Sequence, residues 1–401
     1  MTKLMCPVTT DDTINSEKEN MSDFDILTDA NALYRGYLSA RKSARWKPSV
    51  QLYEWNFLEK LTELQNDLIN GTYRTSPPSE FLLNERGKIR PVTGLQIRDR
   101  IVRHVLCDEI LLPRITPKLI YDNAASLKGR GIDFARKRLK VHLHRYYNRY
   151  HTNDGYILLT DFSKYYDNIR HDIALNMLRQ FVDDERVFAV IEHIFDTYAV
   201  DVSYMTDDEY ANCMNTVHDN VKYRLENHEK TGKKYMRKSL QVGDQLAQVV
   251  GVLYPTEIDN YVKIVRGVKE YARYNDDTYS IYQTREEALD VLEGIKEHAN
   301  NLGIFINLKK THITKIDSTF RYLQNLYYLT DTGRVVERIN PLAVTRARRK
   351  IKKFPHLIAE GKMSKKDKDD WFASWYGCRW RTMSNLQRAH MFELRDTLFG
   401  D

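Results

Sequence analysis

Residues 272–282 read ARYNDDTYSIY. Aromatic and β-branched residues on both flanks favour an extended chain, whereas Asn and Asp oppose one. Asp276 and Asp277 therefore interrupt a strand signal, and two explanations fit. Short polar residues tolerate turn geometry, so Asn-Asp-Asp suits the tip of a β-hairpin. Adjacent carboxylates at a strand-to-strand turn also suit a hard divalent cation, provided a third carboxylate lies nearby.

That third group is at the end of another strand signal. GYILLTDFSKYYDNI (155–169) reads as a buried strand, a sharp turn and then a helix beginning near His171. Asp161 closes the apolar run. A strand-end aspartate beside a hairpin-turn aspartate is a geometry for two divalent ions about 4 Å apart, able to activate a 3′-hydroxyl and stabilise departing pyrophosphate. Alone, Asp161 reads equally well as a helix N-cap or turn residue.

The chain around these acids is ordinary in bulk. Its 401 residues are enough for two or three subdomains, and 42% hydrophobic with 29% charged residues is a globular composition. No run of about 18 apolar residues predicts a membrane span. A basic segment followed by an apolar one is missing at the start, so no signal peptide is expected. Cys6, Cys107, Cys213 and Cys378 are far apart and form no CxxC pair, which argues against a zinc ribbon or disulfide scaffold and fits a reducing cytoplasm. The net charge of +7 is uneven: residues 81–140 carry +8, residues 331–401 carry +7, and the remainder is acidic. Two basic zones flanking an acidic middle suit a polyanion gripped around a metal centre, although either zone alone reads as a solvated helix face.

Residues 1–22 are polar and read as a flexible start. Helices are expected over 23–45 and 50–70, the second with Leu52, Trp55, Leu58, Leu61, Leu64 and Leu68 at helical spacing. A hairpin is expected over 79–95 with its turn near Glu85–Gly87, then helices over 97–112 and 133–150. Residues 200–236 are polar and Tyr-rich and read as an insertion, either a solvated loop or a dock for a partner or RNA. QVGDQLAQ (241–248) leads into a helix, and further strands are expected at IFINL and FRYLQNLYYL. Strands with inserted helices predict an α+β fold.

Taken together, the blocks resemble a reverse transcriptase. DFSKYYDNI resembles motif A of that family and YNDD its YxDD box, 115 positions later. VGDQLAQ resembles motif B, FINLKKT motif D, and FRYLQNL the primer-grip hairpin. GKIRPV and SLKGRGIDFA resemble the two fingers blocks. The closest likeness is to prokaryotic members: group II intron, diversity-generating retroelement, and phage- or defence-associated types. The resemblance implies a right-hand polymerase fold: an N-terminal extension (1–45), fingers (46–150), a palm of antiparallel sheet plus helices (151–330) and a basic helical thumb (331–401).

It also implies roles. Asp161, Asp276 and Asp277 would be catalytic and would hold two Mg²⁺ ions (Mn²⁺ as a substitute), with the Phe162 carbonyl as a further ligand. Tyr166 stands at the sugar gate, where a ring would clash with a 2′-hydroxyl. Tyr165 beside it reads as packing inward. Lys310 is placed to protonate or bind pyrophosphate, with Lys309 as an alternative register. Lys88, Arg90, Lys128 and Arg130 are candidates for the nucleotide triphosphate, and each alone reads as a surface charge. In motif B, Val242, Gly243 and Gln248 would line the nucleotide. Many members have Gln before this Gly; Val242 offers no amide, which predicts relaxed base selection. Trp371, Trp375, Tyr376 and Trp380 suit a thumb core or a stacking platform.

The implied reaction is RNA-directed DNA synthesis, with an RNA template, a DNA primer (or an RNA or protein one), dNTPs, and a dedicated non-coding RNA or accessory protein as further partners. The setting would be the cytoplasm of a bacterial or phage-infected cell, in a diversity-generating, antiphage-defence or retron-like role. Two other readings stay open: untemplated or private-RNA-templated synthesis, and an inactive palm that only binds nucleic acid.

Overall fold

Strand alternation in the middle of the chain creates a sheet with two buried faces. The computed structural model describes residues 21–42, 44–85, 88–219 and 228–399, with the side chains of 80, 85, 88–91 and 399 outside that description. The expected flexible start, up to residue 20, also lies outside it. The strands are β1 (Ser79–Glu85), β2 (Lys88–Gly94), β3 (Tyr156–Thr160), β4 (Val200–Asp201), β5 (Tyr235–Met236), β6 (Tyr271–Tyr274), β7 (Asp277–Tyr282), β8 (His312–Lys315), β9 (Phe320–Tyr322), β10 (Asn325–Leu329) and β11 (Val335–Ile339).

The central sheet has the order β6-β7-β3-β8, with every pair antiparallel. Ile157 and Leu159 of β3, with Tyr279 and Ile281 of β7, point into one core. Leu158 and Tyr282 point into the other. The period of two along each strand causes this split. The first core is closed by helix Ile132–Tyr150, through Ala135, Leu139, Leu143 and Tyr146, and by the β9–β10–β11 sheet. The second and larger core takes the helices Gln245–Leu253 and Arg285–Asn301 and extends into the N-terminal helices. The result is a mixture of helices and antiparallel sheet, as expected of an α+β chain.

Four expectations about elements need revision. The helix over 23–45 is two, Asp23–Thr28 and Ala30–Arg41, parted at Asp29, whose ψ of 127° is extended. The helix over 50–70 is two helices, Pro48–Trp55 and Phe57–Ile69, broken at Asn56, whose φ of −115° and ψ of 42° are not helical. The break shifts the buried face: Leu61, Leu64 and Leu68 are buried, whereas Leu52, Trp55 and Leu58 are exposed. IFINL is not a strand; it makes one bridge, Ile306 to Phe162, and then turns at Asn307, whose carbonyl accepts from the Lys310 and Thr311 amides. Residues 200–236, where described, are more than a solvated loop. β4 pairs with β5, helix Asp207–Asn215 packs beside them, and Val202, Met205, Cys213 and Met236 form a small separate core.

The C-terminal helices Pro341–Ile351, Phe354–Ala359, Lys365–Gly377 and Asn385–Phe399 also have their own core, built on Ile351, Phe354, Phe372 and Met391. Trp371, Trp375 and Tyr376 pack against it, as Trp spacing of four suggests, while Trp380 is more exposed. No helix among the described residues is long and apolar enough to cross a membrane.

Candidate active site

Strand pairing places the three acids at one end of the sheet. Thr160 of β3 faces Thr278 of β7, and Tyr274 faces Asp277 across a two-residue turn. Asp161 thus follows β3 at the same level as Asp277. Asn275 opens the turn at φ 58°, a left-handed conformation that Asn tolerates better than most side chains. From beneath, the buried Arg273 holds the turn: its guanidinium pairs with buried Asp259 (2.7 Å) and donates to the Val252 carbonyl (2.8 Å). Such a pair is stable only because both ions keep further hydrogen bonds, here including Tyr271 to Asp259 at 2.7 Å.

The acids form an electrostatically loaded cluster. Asp161 is nearly buried, and the Lys310 ammonium donates to both of its oxygens at 2.7 and 2.6 Å. Asn307 donates its side-chain amide to Asp161 Oδ1 at 3.2 Å and its backbone N–H to the Asp161 carbonyl at 2.7 Å. The Asp277 carboxyl is pushed up to about 7, first by burial and then by the charges of Asp276 and Asp161, against the pull of Lys310 and Arg321. Among the described residues, no three His, Cys, Asp or Glu side chains converge as they would around a bound ion. The cation on Asp161 is the Lys310 ammonium. Phe162 is buried, and the two bonds that flank it, Ser163 N–H to Phe305 O and Asn307 N–H to Asp161 O, leave its carbonyl out.

Tyr166 lies against the same turn. Its hydroxyl accepts from the Asn275 side-chain amide at 3.1 Å. Its ring rests on Gly251, where an added Cβ would meet the hydroxyl oxygen at 2.9 Å. Tyr165 points inward as expected and donates to the Gly251 carbonyl at 2.7 Å.

The loop before helix Gln245–Leu253 approaches from the other side. Gly243 has φ 112°, and a Cβ there would lie 2.8 Å from the Thr93 carbonyl oxygen, so both conformation and space demand glycine. Thr93 of β2 donates to the Val242 carbonyl at 3.2 Å, which ties the hairpin to this loop and leaves the Val242 side chain exposed. Asp244 caps the helix by accepting from Leu246 N–H at 2.8 Å, and it pairs with Arg103 at 3.2 Å with both side chains buried. Arg103 also donates to Tyr73 and Thr75.

The candidate phosphate ligands separate. The side chains of Lys88 and Arg90 lie outside the described residues. Lys128 is exposed and lines a cleft shared with Gln248. Arg130 lines a different cleft and donates to the carbonyls of Tyr121 (3.0 Å) and Asn123 (2.6 Å), bracing its own loop.

Sequence reasoning did not single out Asn275 as the partner of Tyr166, Asn307 as that of Asp161, or the Arg103–Asp244 and Arg273–Asp259 pairs. Asn275 had a signal, since it stands inside the acid turn. The others had none, because their partners are 14 to 146 positions away.

Acids at the end of an antiparallel sheet, beside a lysine and a tyrosine ring, fit the class of nucleotidyl transferases. In agreement, the family described as reverse transcriptase (RNA-dependent DNA polymerase) matches residues 79–324. The chain belongs to that family and is an RNA-directed DNA polymerase. It is also similar to Protein YkfC of Escherichia coli (strain K12), with 22% identity over 289 residues, covering 66% of this chain and 70% of that protein.

Proposed function

We propose that Asp161, Asp276 and Asp277, with the Phe162 carbonyl, hold two Mg²⁺ ions, for which Mn²⁺ can substitute. Three carboxylates with hard oxygen donors, one of them pushed up by burial and then by its neighbours' charge, are a donor set that fits hard divalent cations. Bound there, the ions would supply activation of the primer 3′-hydroxyl and stabilisation of departing pyrophosphate.

The chain's own residues do the rest. Tyr166, held by Asn275 and Gly251, excludes a 2′-hydroxyl and so favours dNTPs. Lys310 delivers a proton or a positive charge to the pyrophosphate oxygens. Gly243 lets the Val242–Gly243 backbone approach the nucleotide, and the aliphatic Val242 gives the base no amide to bind. Lys88, Arg90, Lys128 and Arg130 are the cations available to the triphosphate, and Gln248 borders its entry.

Residues 46–150 serve as fingers, 151–330 as palm and 331–401 as a basic thumb, after an extension over 1–45. The substrates are an RNA template, a primer and dNTPs. The motif B likeness supports a diversity-generating or antiphage-defence setting, with a dedicated RNA or accessory protein.

The observation that carries this reading is the placing of Asp161, Asp276 and Asp277 at one end of the paired strands β3, β7 and β6, with Lys310 on Asp161. Extension of a DNA primer annealed to RNA, with dNTPs and Mg²⁺, tests it. The expected result is template-dependent product that Asp276→Ala/Asp277→Ala loses. Product without template would replace it with end extension, and wild-type product that survives in the double variant would overturn the assignment.

A further inference from the structure

Residues 200–236 have no part in the chemistry above, yet they are bonded to the turn that carries it. That turn, Ser163 to Asn168, joins Asp161 to Tyr166 and is held from three directions.

Asn168 is fully buried. Its amide donates to the carbonyls of Ser163 (3.2 Å), Lys164 (2.9 Å) and His218 (3.3 Å), and its oxygen accepts from His218 N–H at 2.8 Å. One side chain therefore closes the turn and fastens it to the insertion. Lys164, at φ 47°, pairs with Asp219 at 2.8 Å. The chain leaving the insertion then runs along the same segment: His171 N–H donates to Arg237 O (3.1 Å), Ser239 N–H to Ile169 O (3.0 Å) and Leu240 N–H to Tyr166 O (2.9 Å). Two residues later it enters the loop of Val242 and Gly243.

The insertion is itself pinned at this junction. The buried Lys238 ammonium donates to the carbonyls of Cys213 (3.1 Å), Met214 (3.1 Å) and Thr216 (2.8 Å), at the C-terminal end of helix Asp207–Asn215. Three donors thus meet three acceptors at the negative end of a helix. Lys164 and Ser239 (φ 135°) are both non-glycine residues at positive φ, a conformation that persists only where the surroundings over-determine it.

We infer that the insertion, through its described residues 200–219 and 228–236, is a positioning latch: by way of Asn168, Lys164 and the 237–240 segment it fixes the Ser163–Asn168 turn, and with it the Tyr166 ring that selects the nucleotide sugar. This rests on the reading of Tyr166 as the sugar gate. Asn168, Lys164 and Asp219 are positioning residues and touch no substrate.

The experiment uses the full chain and two kinds of variant. Asp201 and Tyr235 face each other across β4 and β5, so Asn-Gly in place of residues 202–234 closes a two-residue hairpin. Lys238→Met accompanies this excision, because its ammonium would lose its carbonyls. Lys164→Met, Asp219→Ala and their combination leave the insertion in place. The readouts are the ratio of kcat/KM for dNTP over rNTP, melting temperature, and hydrogen exchange over 163–168. The excised chain is expected to lose about tenfold or more of its sugar discrimination and to exchange faster over 163–168. Each point variant is expected to lose about two- to fivefold, the range of an exposed ion pair, with the combination losing no more than either alone and melting temperatures unchanged.

Unchanged discrimination and exchange in the folded excised chain would overturn the latch. If excision prevents folding, the point variants decide: additive or absent effects overturn it. If the wild type makes no product, the functional reading fails separately, and exchange over 163–168 still decides the latch.

Discussion

Gly251 shows how finely single residues are set around Tyr166. A methyl added there would press on the Tyr166 hydroxyl oxygen at 2.9 Å and on its ring at 3.1 Å, so the ring must move although Ala is the better helix former. Gly251→Ala should therefore lower dNTP discrimination by about tenfold with little loss of stability, read from kcat/KM for paired dNTP and rNTP substrates. Tyr166→Phe should keep most of the discrimination, because the ring does the excluding, and Tyr166→Ala should lose most of it. Equal ratios in wild type and Tyr166→Ala would remove Tyr166 from the sugar site. At this scale the sequence was informative where chemistry stands next to chemistry: Asp161 ends an apolar strand, and Asp276 and Asp277 interrupt another. Asn307 was silent, since an asparagine after an apolar run is also an ordinary turn residue, and only the fold carries it to Asp161.

Elements introduce constraints that no single residue shows. The helix Ile97–His104 and the loop before Gln245–Leu253 are tied by Arg103 and Asp244, both buried. Arg103→Met would leave Asp244 charged and unpaired in the core, a loss of about 3–5 kcal/mol. Urea denaturation should show it as a lower midpoint at constant slope; a loss below about 1 kcal/mol would mean that the pair is not closed in solution. A second constraint is acid sensitivity. His171 and His218 are both buried, and their imidazoles are pushed down to about 4, chiefly by burial. In the unfolded chain they titrate near 6.5. Between pH 6.5 and 4 the unfolded state therefore binds protons that the native state refuses, so stability is full above that window and falls as pH drops through it. Each site contributes up to about 3 kcal/mol of that loss. Melts from pH 7.5 to 4.5 should show the decline, and His171→Gln should flatten it; an identical slope in the variant would count against a neutral His171. Helical and strand periods located most of these elements in the sequence. They missed the break at Asn56 and the single bridge at Ile306, because periodicity reports which face is apolar but not where a neighbouring element bends the chain.

Across the whole molecule the charge asymmetry of the sequence acquires a location. Arg321, Arg346, Lys350 and Arg379 line one groove with Trp371 and Trp375, whose rings stack 6.1 Å apart. Arg321 also acts on the Asp277 carboxyl, so this end of the groove lies toward the acids. Lys350 lies over the Trp371 ring and Arg379 over Trp375, an arrangement that keeps both cations extended along the surface. The C-terminal helices carry Arg346, Lys350 and both Trp residues on a core that also takes in Ile339 of β11 but no residue of the central sheet, so these side chains can change without disturbing that sheet. Phosphate contacts release counterions, and each contributes close to one unit to the slope of log K against log salt. Arg346→Ala/Lys350→Ala should thus weaken duplex binding about tenfold or more near physiological salt, shallow the slope by about 2, and shorten the products made per binding event. Addition of the first nucleotide at saturating duplex should be unaffected, because the groove cation that acts on Asp277 is Arg321, which both variants keep. Fluorescence anisotropy over a salt series checks the slope. A slope equal to that of the wild type would mean that this groove faces solvent and that the duplex leaves the acid cluster along another path.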